Sequence, residues 1–340
     1  MLHIREITVN RSEPGPELFG AAQRFLIDFL SYRADERLII TTDTVRDPLV
    51  VQALQAAALA IGGQPLVLTL PQLPFQGKLA DPFLPQGLAA AVAQCDLWID
   101  VTYPYIAGSS VHATAMKNGT LRYMLASDLS SAALTRLFAP GVLDEIYPGQ
   151  AAFETLVAKS AGHAVRVTTP LGTDVRFKLA ESFEPSPRRT TGPGLYFLPG
   201  SCLMSPDIES VRGKIVLETV FHEFYTSLRT PIELEVDGRI RTVRGGGPDR
   251  PILERALLRA GGGQYGYVIH FAHGIHSNAR FTGHCFVEDM RVPGSNAIGM
   301  GLPFWLPEGG ENHPDGVISM HSIWLDDELI VLDGRVQVSQ

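Results

Sequence analysis

The apolar positions of this chain follow two rhythms, and the change between them falls near the middle. From Arg37 to about Leu137, short β-type apolar runs alternate with alanine-rich helical ones. Leu38 to Thr42, Pro65 to Thr69, Leu97 to Thr102 and Thr120 to Ala126 read as strands. Pro48 to Ile61, Gln86 to Gln94, Ser110 to Lys117 and Ser130 to Phe138 read as helices. Strands that alternate with helices imply crossover connections and a parallel sheet covered on both faces. Ligands of such sheets sit beyond the carboxyl ends of the strands, which here carry Thr41, Thr42, Asp43, Tyr103, Tyr105 and His112.

After Phe153 the period becomes two. His163 to Thr169 and Asp174 to Lys178, joined by Pro170-Leu171-Gly172-Thr173, predict a hairpin, and Glu181 to Gly194, rich in Pro, Ser, Arg and Gly, predicts a loop. Further strands are expected at Lys214 to Thr219, Ile232 to Val236, Ile240 to Val243, Tyr265 to Phe271, Val317 to Trp324 and Leu329 to Leu332, with one helix at Pro251 to Ala260. The fold class expected is α/β. An N-terminal doubly wound parallel-sheet domain over residues 1–150 precedes a β-rich α+β metal-binding domain over residues 151–340.

Composition narrows the function. With 340 residues and a formal charge of −8, the chain lacks the basic balance that a nucleic-acid partner or an anionic membrane surface calls for. Three cysteines, Cys95, Cys202 and Cys285, suggest neither a disulfide framework nor a Cys-rich zinc site. The apolar residues from Glu17 to Leu30 are interrupted by Gln23, Arg24 and Asp28, unlike a secretory signal, and no run approaches a membrane span, so the expected location is the cytoplasm.

Candidate chemistry concentrates in the second half. Asn312-His313-Pro314-Asp315-Gly316 sets an imidazole and a carboxylate two residues apart, and in an extended segment both point the same way. A third ligand is available among His270, His273, His276 and His284. Two histidines and a carboxylate are the ligand set of non-haem Fe(II) oxygenases, and they also suit a hydrolytic zinc ion. The competing reading is a surface turn, which Pro and Gly beside an aspartate favour. His270, at the end of an apolar run, is the best placed of the upstream histidines. His273 and His276 are expected to contact substrate, and Arg291, with Arg280, to offer positive charge to an anionic group. No Gly-X-Ser-X-Gly elbow is present, and the one Gly-X-Gly-X-X-Gly match, Gly261 to Gly266, follows a helix and precedes a strand, the reverse of the dinucleotide context.

Leu198-Pro199-Gly200-Ser201-Cys202-Leu203-Met204-Ser205-Pro206, His270 to Ala279, and His313 through Ser322-Ile323-Trp324-Leu325 to Asp333-Gly334 carry a resemblance. In these segments the chain resembles the family that contains the metallo-aminopeptidases of the aminopeptidase T type and 2,5-dihydroxypyridine 5,6-dioxygenase. Where the peptidases have a metal-ligating glutamate in a Gly-Glu-Val-Phe-Thr-Ala-Pro segment, this chain has Ser201, and a second peptidase glutamate falls near His270. Loss of both carboxylates argues against a two-metal site. The dioxygenase branch looks closer, and the resemblance implies one Fe(II) held by His270, His313 and Asp315. A second register stays open, in which His321 takes the place of His313 and Ile323 that of the aspartate, and His273 remains an alternative third ligand. Zn, Co and Mn remain alternative metals.

The resemblance thus implies a non-haem Fe(II) extradiol-type dioxygenase that cleaves a hydroxylated pyridine or related small aromatic with O2. His112 or His222 would serve as general base, and the chain would form a homodimer or larger assembly. The alternatives are a metallo-aminopeptidase, a metal-free amide hydrolase of the same family, and a non-catalytic small-molecule binding protein.

Overall fold

Hydrogen-bonded strands sort the chain into two sheets of opposite character. A computed structural model describes residues 15–182, 185–222, 224–303, 306, 309 and 313–337; Asn312, named in one of the sequence motifs, lies outside them. In the first half, α1 (Pro16–Gln23) precedes strand β1 (Leu38–Asp43), then α2 (Pro48–Ala60), β2 (Leu66–Leu70), α3 (Gln86–Val92), β3 (Leu97–Asp100), α4 (Ser110–Met116), β4 (Arg122–Leu125) and α5 (Ser131–Leu137). These follow the expected alternation closely. Helix α2 shows why: Asp47 caps it by accepting from the Leu49 N–H, Pro48 starts it, and Val50, Ala53, Leu54 and Ala57 bury one face.

Helix α6 (Val142–Lys159) is long and was not apparent from the pattern, because Pro148 and Gly149 sit inside it and read as a break. The hairpin β5 (Ala164–Thr168) and β6 (Asp174–Lys178) forms as expected. The chain then returns to the first sheet as β7 (Gly194–Phe197), so that its order is β2-β1-β3-β4-β7, every pair parallel. Sequence placed a boundary at residue 150; the first sheet nevertheless takes its last strand from residues 194–197.

The remaining strands are β8 (Ser201–Met204), β9 (Arg212–Phe221), β10 (Tyr225–Asp237), β11 (Arg239–Gly245), β12 (Tyr267–Gly274), β13 (Ser295–Gly301), β14 (Asp315–Ser319), β15 (Ser322–Leu325), β16 (Glu328–Leu332) and β17 (Arg335–Val336). Helices α7 (Arg250–Ala260) and α8 (Phe286–Asp289) lie among them. With β5 and β6 they build an antiparallel sheet whose path runs β17-β16-β15-β5-β6-β9-β14-β13-β12-β8, with β10 and β11 branching from β9.

One expected strand, Val317 to Trp324, is in fact two. Met320 adopts φ +52°, and beyond this bend β15 leaves the partners of β14 to pair with β5 and β16. His321 sits at the bend rather than inside a strand.

The two faces of the antiparallel sheet do different work. Val268, Phe271, Ile298, Met300 and Ile318 pack on one face among the second half's own apolar side chains. Ala272, Ala297, Val317 and Phe221 pack on the other with Ile39, Tyr103 and Tyr105 of the parallel-sheet half. Tyr103 and Tyr105 reach Phe221 with ring centroids 5.2 and 6.3 Å away.

Two carboxylates hold the loop that delivers these tyrosines: Asp43 accepts from the Tyr103 N–H at 2.8 Å, and Asp100 takes the larger share. Asp100, fully buried at the end of β3, accepts from the Thr102 and Ile106 N–H groups and from the hydroxyls of Thr41, Thr102 and Tyr123. Burial raises its pKa, and these donors oppose that shift. Asp100→Ala would leave all of them unpaired in the interior and is expected to cost more than about 3 kcal/mol. Urea unfolding measures this, and a loss below about 1 kcal/mol would contradict the loop-anchoring role.

Candidate metal centre

A row of residues crosses the antiparallel sheet: His270 on β12 stands opposite Gly299 on β13, Gly299 opposite Asp315 on β14, and Asp315 opposite Phe221 on β9. Strand β12 runs on to Gly274, so His270 lies within it rather than at its end, and His273 lies in it as well. A bulge at Ile269, where the register shifts between Val268 and His270, explains how Val268 and Phe271 share the inner face while His270 joins the other. His313 comes just before β14, which opens at Asp315.

Across this row the side chains of His270, His313 and Asp315 converge, with ligand atoms all within 4.8 Å of one another. His270 Nε2 is 3.3 Å from Asp315 Oδ1, and His313 Nε2 is 3.8 Å from Asp315 Oδ2. The two rings stand nearly perpendicular, 78° apart, with centroids separated by 5.5 Å. Two donors each about 2.1 Å from a shared ion lie roughly 3 to 4.2 Å apart, so these spacings fit one ion. The donor set fits as well: one anionic oxygen and two neutral nitrogens suit a divalent borderline metal and leave further coordination positions open. Among the described residues this is the one group of at least three His, Cys, Asp or Glu side chains close enough to share an ion.

Space for that convergence comes from Gly299. A Cβ there would sit 2.2 Å from His270 Nε2 and 2.4 Å from its Cδ2. Any side chain at 299 would therefore push the imidazole off the carboxylate. A glycine inside a buried strand often marks such a close approach.

The other predicted site residues lie elsewhere in the network. His273 Nδ1 is 2.8 Å from His321 Nε2, and His321 Nδ1 is 3.0 Å from the Gly294 carbonyl. Because a carbonyl only accepts, the proton on His321 is at Nδ1, and His273 donates to His321 through its own Nδ1. Both rings are fully buried, and His321 is thereby committed to a structural chain apart from His270 and Asp315. His276, also fully buried, donates from Nε2 to the Leu137 carbonyl at 3.0 Å.

Arg291 spends its guanidinium on the carbonyls of Leu198, Pro199 and Val287, and it is 3% exposed. These bonds brace the segment before β8 against α8, which corrects the expectation that Arg291 would meet an anionic group. Arg280 and His284 are solvent-exposed. Ser201 lies on β8 opposite Gly274.

His112 and His222 are both held neutral, each with its pKa lowered to about 4, chiefly by burial; Arg259 and Arg255 add to the effect at His222. The Gly108 N–H donates to His112 Nδ1 at 3.2 Å, and the Phe224 N–H to His222 Nδ1 at 3.1 Å. Each neutral ring therefore carries its proton on Nε2 and presents a donor. Acting as a base would require the other tautomer, at the expense of those backbone bonds.

The contact that sequence reasoning missed is Gln76, which follows β2 and donates from Nε2 to the His313 carbonyl at 2.9 Å. A lone glutamine in a Pro- and Phe-rich loop gives no periodic signal.

Gly299→Ala is expected to lower affinity for a divalent metal by roughly 10-fold or more. Titration with Co(II) reads this out, and unchanged affinity would contradict the close approach. A second expectation concerns protonation. His112, His222, His276 and His321 each have a folded-state pKa of about 4, set first by burial. Their folded values lie below the ordinary imidazole value near 6.5, so each contributes stability that is complete above that value and is lost as the pH falls towards 4. NMR of the imidazole rings should show them neutral at pH 5.5; half-protonation near 6.5 would refute the burial argument.

No curated protein matches the chain in sequence. Solved structures share its fold, two of them over nearly the whole chain. One is the 2,5-dihydroxypyridine dioxygenase from Pseudomonas putida KT2440, at a TM-score of 0.72 and 20% identity, covering 95% of this chain and 97% of that one. The other is wild-type AmpT from Thermus thermophilus, at a TM-score of 0.68 and 14% identity, covering 95% and 99%. The sequence profile described as NicX: 2,5-dihydroxypyridine 5,6-dioxygenase matches residues 27–338. The α/β architecture, the likeness to aminopeptidase T and the profile match agree, and the chain belongs to the 2,5-dihydroxypyridine 5,6-dioxygenase family.

Proposed function

We propose that this protein is a ring-cleaving dioxygenase that opens a hydroxylated pyridine, or a closely related small aromatic, with one Fe(II) held by His270, His313 and Asp315. The observation that carries the reading is the convergence of two imidazole nitrogens and one carboxylate over Gly299, in a chain of this family. When bound, ferrous iron supplies the one-electron chemistry that lets O2 react with a closed-shell ring. In the overall reaction a ring carbon–carbon bond breaks and both oxygen atoms enter the product, so no external reductant is required.

The chain's own residues set the surroundings. Asp315 contributes the single negative charge of the triad, so one divalent ion keeps net positive charge and favours an ionised ring hydroxyl beside it. Phe221, adjacent to Asp315 in the sheet, lies under Tyr103 and Tyr105, and also stacks on Phe286 at 4.0 Å. This aromatic wall keeps water from one side of the carboxylate, which strengthens its hold on a cation. A two-metal peptidase is disfavoured by the donor set, because a single carboxylate does not balance two divalent cations.

Protein loaded anaerobically with Fe(II) and mixed with 2,5-dihydroxypyridine should consume one O2 per ring and lose the aromatic absorbance. His313→Ala and Asp315→Ala should each reduce turnover by more than about 100-fold, beyond the cost of losing an outer-shell partner. Ring cleavage that survives both substitutions, or none in the wild type with any hydroxylated pyridine, would refute the proposal.

A further inference from the structure

The three ligand residues are not held equally. His270 lies within β12 and Asp315 opens β14, so the sheet ladder fixes the backbone of both. His313 precedes β14 and has no strand partner among the described residues. Met300 N–H donates to the carbonyl of the next residue, Pro314, at 2.9 Å, and Gln76 Nε2 donates to the carbonyl of His313 itself at 2.9 Å.

Gln76 belongs to the parallel-sheet half, 237 positions away in sequence. It is 3% exposed, and its loop is tied to the tyrosine loop by the Gly77 N–H, which donates to the Tyr105 carbonyl at 3.3 Å. The amide's orientation is unambiguous, since a carbonyl accepts only from the nitrogen end. Gln76 Oε1, at the other end, is buried with no hydrogen-bond partner among the described residues. An unmatched buried acceptor costs stability, and an apolar side chain of similar size would avoid that cost. The side chain is therefore poorly explained by packing or by its own satisfaction; its one hydrogen bond among the described residues goes to the backbone of a ligand residue.

We propose that Gln76 is a positioning residue for the metal centre: it fixes His313, the ligand least supported by the sheet, and so makes the complete His270, His313 and Asp315 set depend on the docking of the two halves. This rests on the metal-centre reading above. In physical terms, a free His313 backbone would have to be ordered at the moment of metal binding, and the Gln76 bond meets that cost during folding instead.

The test uses Co(II) alone as probe, read by its ligand-field absorption, on the full chain without substrate. Gln76→Leu keeps bulk and removes the donor, and Gln76→Asn keeps an amide one methylene too short to reach. Both should weaken Co(II) binding by about 10- to 100-fold and alter the ligand-field spectrum, while the thermal midpoint of the metal-free protein stays within a few degrees of wild type. If Gln76→Leu does not fold, Gln76→Asn alone decides. Wild-type affinity and spectrum in the folded variant would overturn the assignment of Gln76 and leave the metal centre standing. A wild-type protein whose Co(II) binding is absent, or is indifferent to Asp315→Ala, would overturn the metal centre itself and this inference with it.

Discussion

A missing methyl group at position 299 is the constraint on which the centre of this molecule turns. His270 and Asp315 sit on strands separated by β13, and their side chains meet only because the residue between them has none. Three further features serve that crossing. The bulge at Ile269 aims His270 at the face where Asp315 points, Gln76 secures the segment that carries His313, and Phe221 closes the next position in the row. Each is a small local device, and together they gather three candidate ligands from two distant stretches of chain.

The centre also explains why the two halves are built as they are. The parallel sheet presents the carboxyl ends of its strands, where α/β proteins collect polar residues. Here that end supplies Tyr103, Tyr105 and Gln76, which cover or clamp the antiparallel sheet beside the ligands. Asp100 is the anchor beneath, accepting from two backbone N–H groups of the tyrosine loop. The parallel half thus completes one wall of the centre although it contributes none of the three ligands.

Much of this was legible in the sequence, for identifiable reasons. The first four strands of the parallel sheet and their helices declare themselves because alanine-rich amphipathic segments and short buried runs have distinct periods. His270, His313 and Asp315 could be nominated as a set, since a His-X-Asp pair on extended chain and a histidine on a strand are local patterns supported by a family likeness. What escaped was set by tertiary context. Helix α6 was hidden by Pro148 and Gly149, and β7 by a loop-like composition. The burial of Arg291 among carbonyls and the pairing of His273 with His321 depend on partners that no spacing reveals. The bend at Met320, which sets His321 apart from His313, was likewise invisible in the sequence.

We propose that one redox-active ion binds over Gly299 between His270, His313 and Asp315. A crystal structure of the protein soaked anaerobically with Fe(II), with anomalous data at the iron edge, tests it most directly. The account predicts a single iron peak bonded to both imidazoles and to the Asp315 carboxylate. Iron bound through His273 and His321, a pair of metal ions, or an anomalous map with no peak at this position would contradict it.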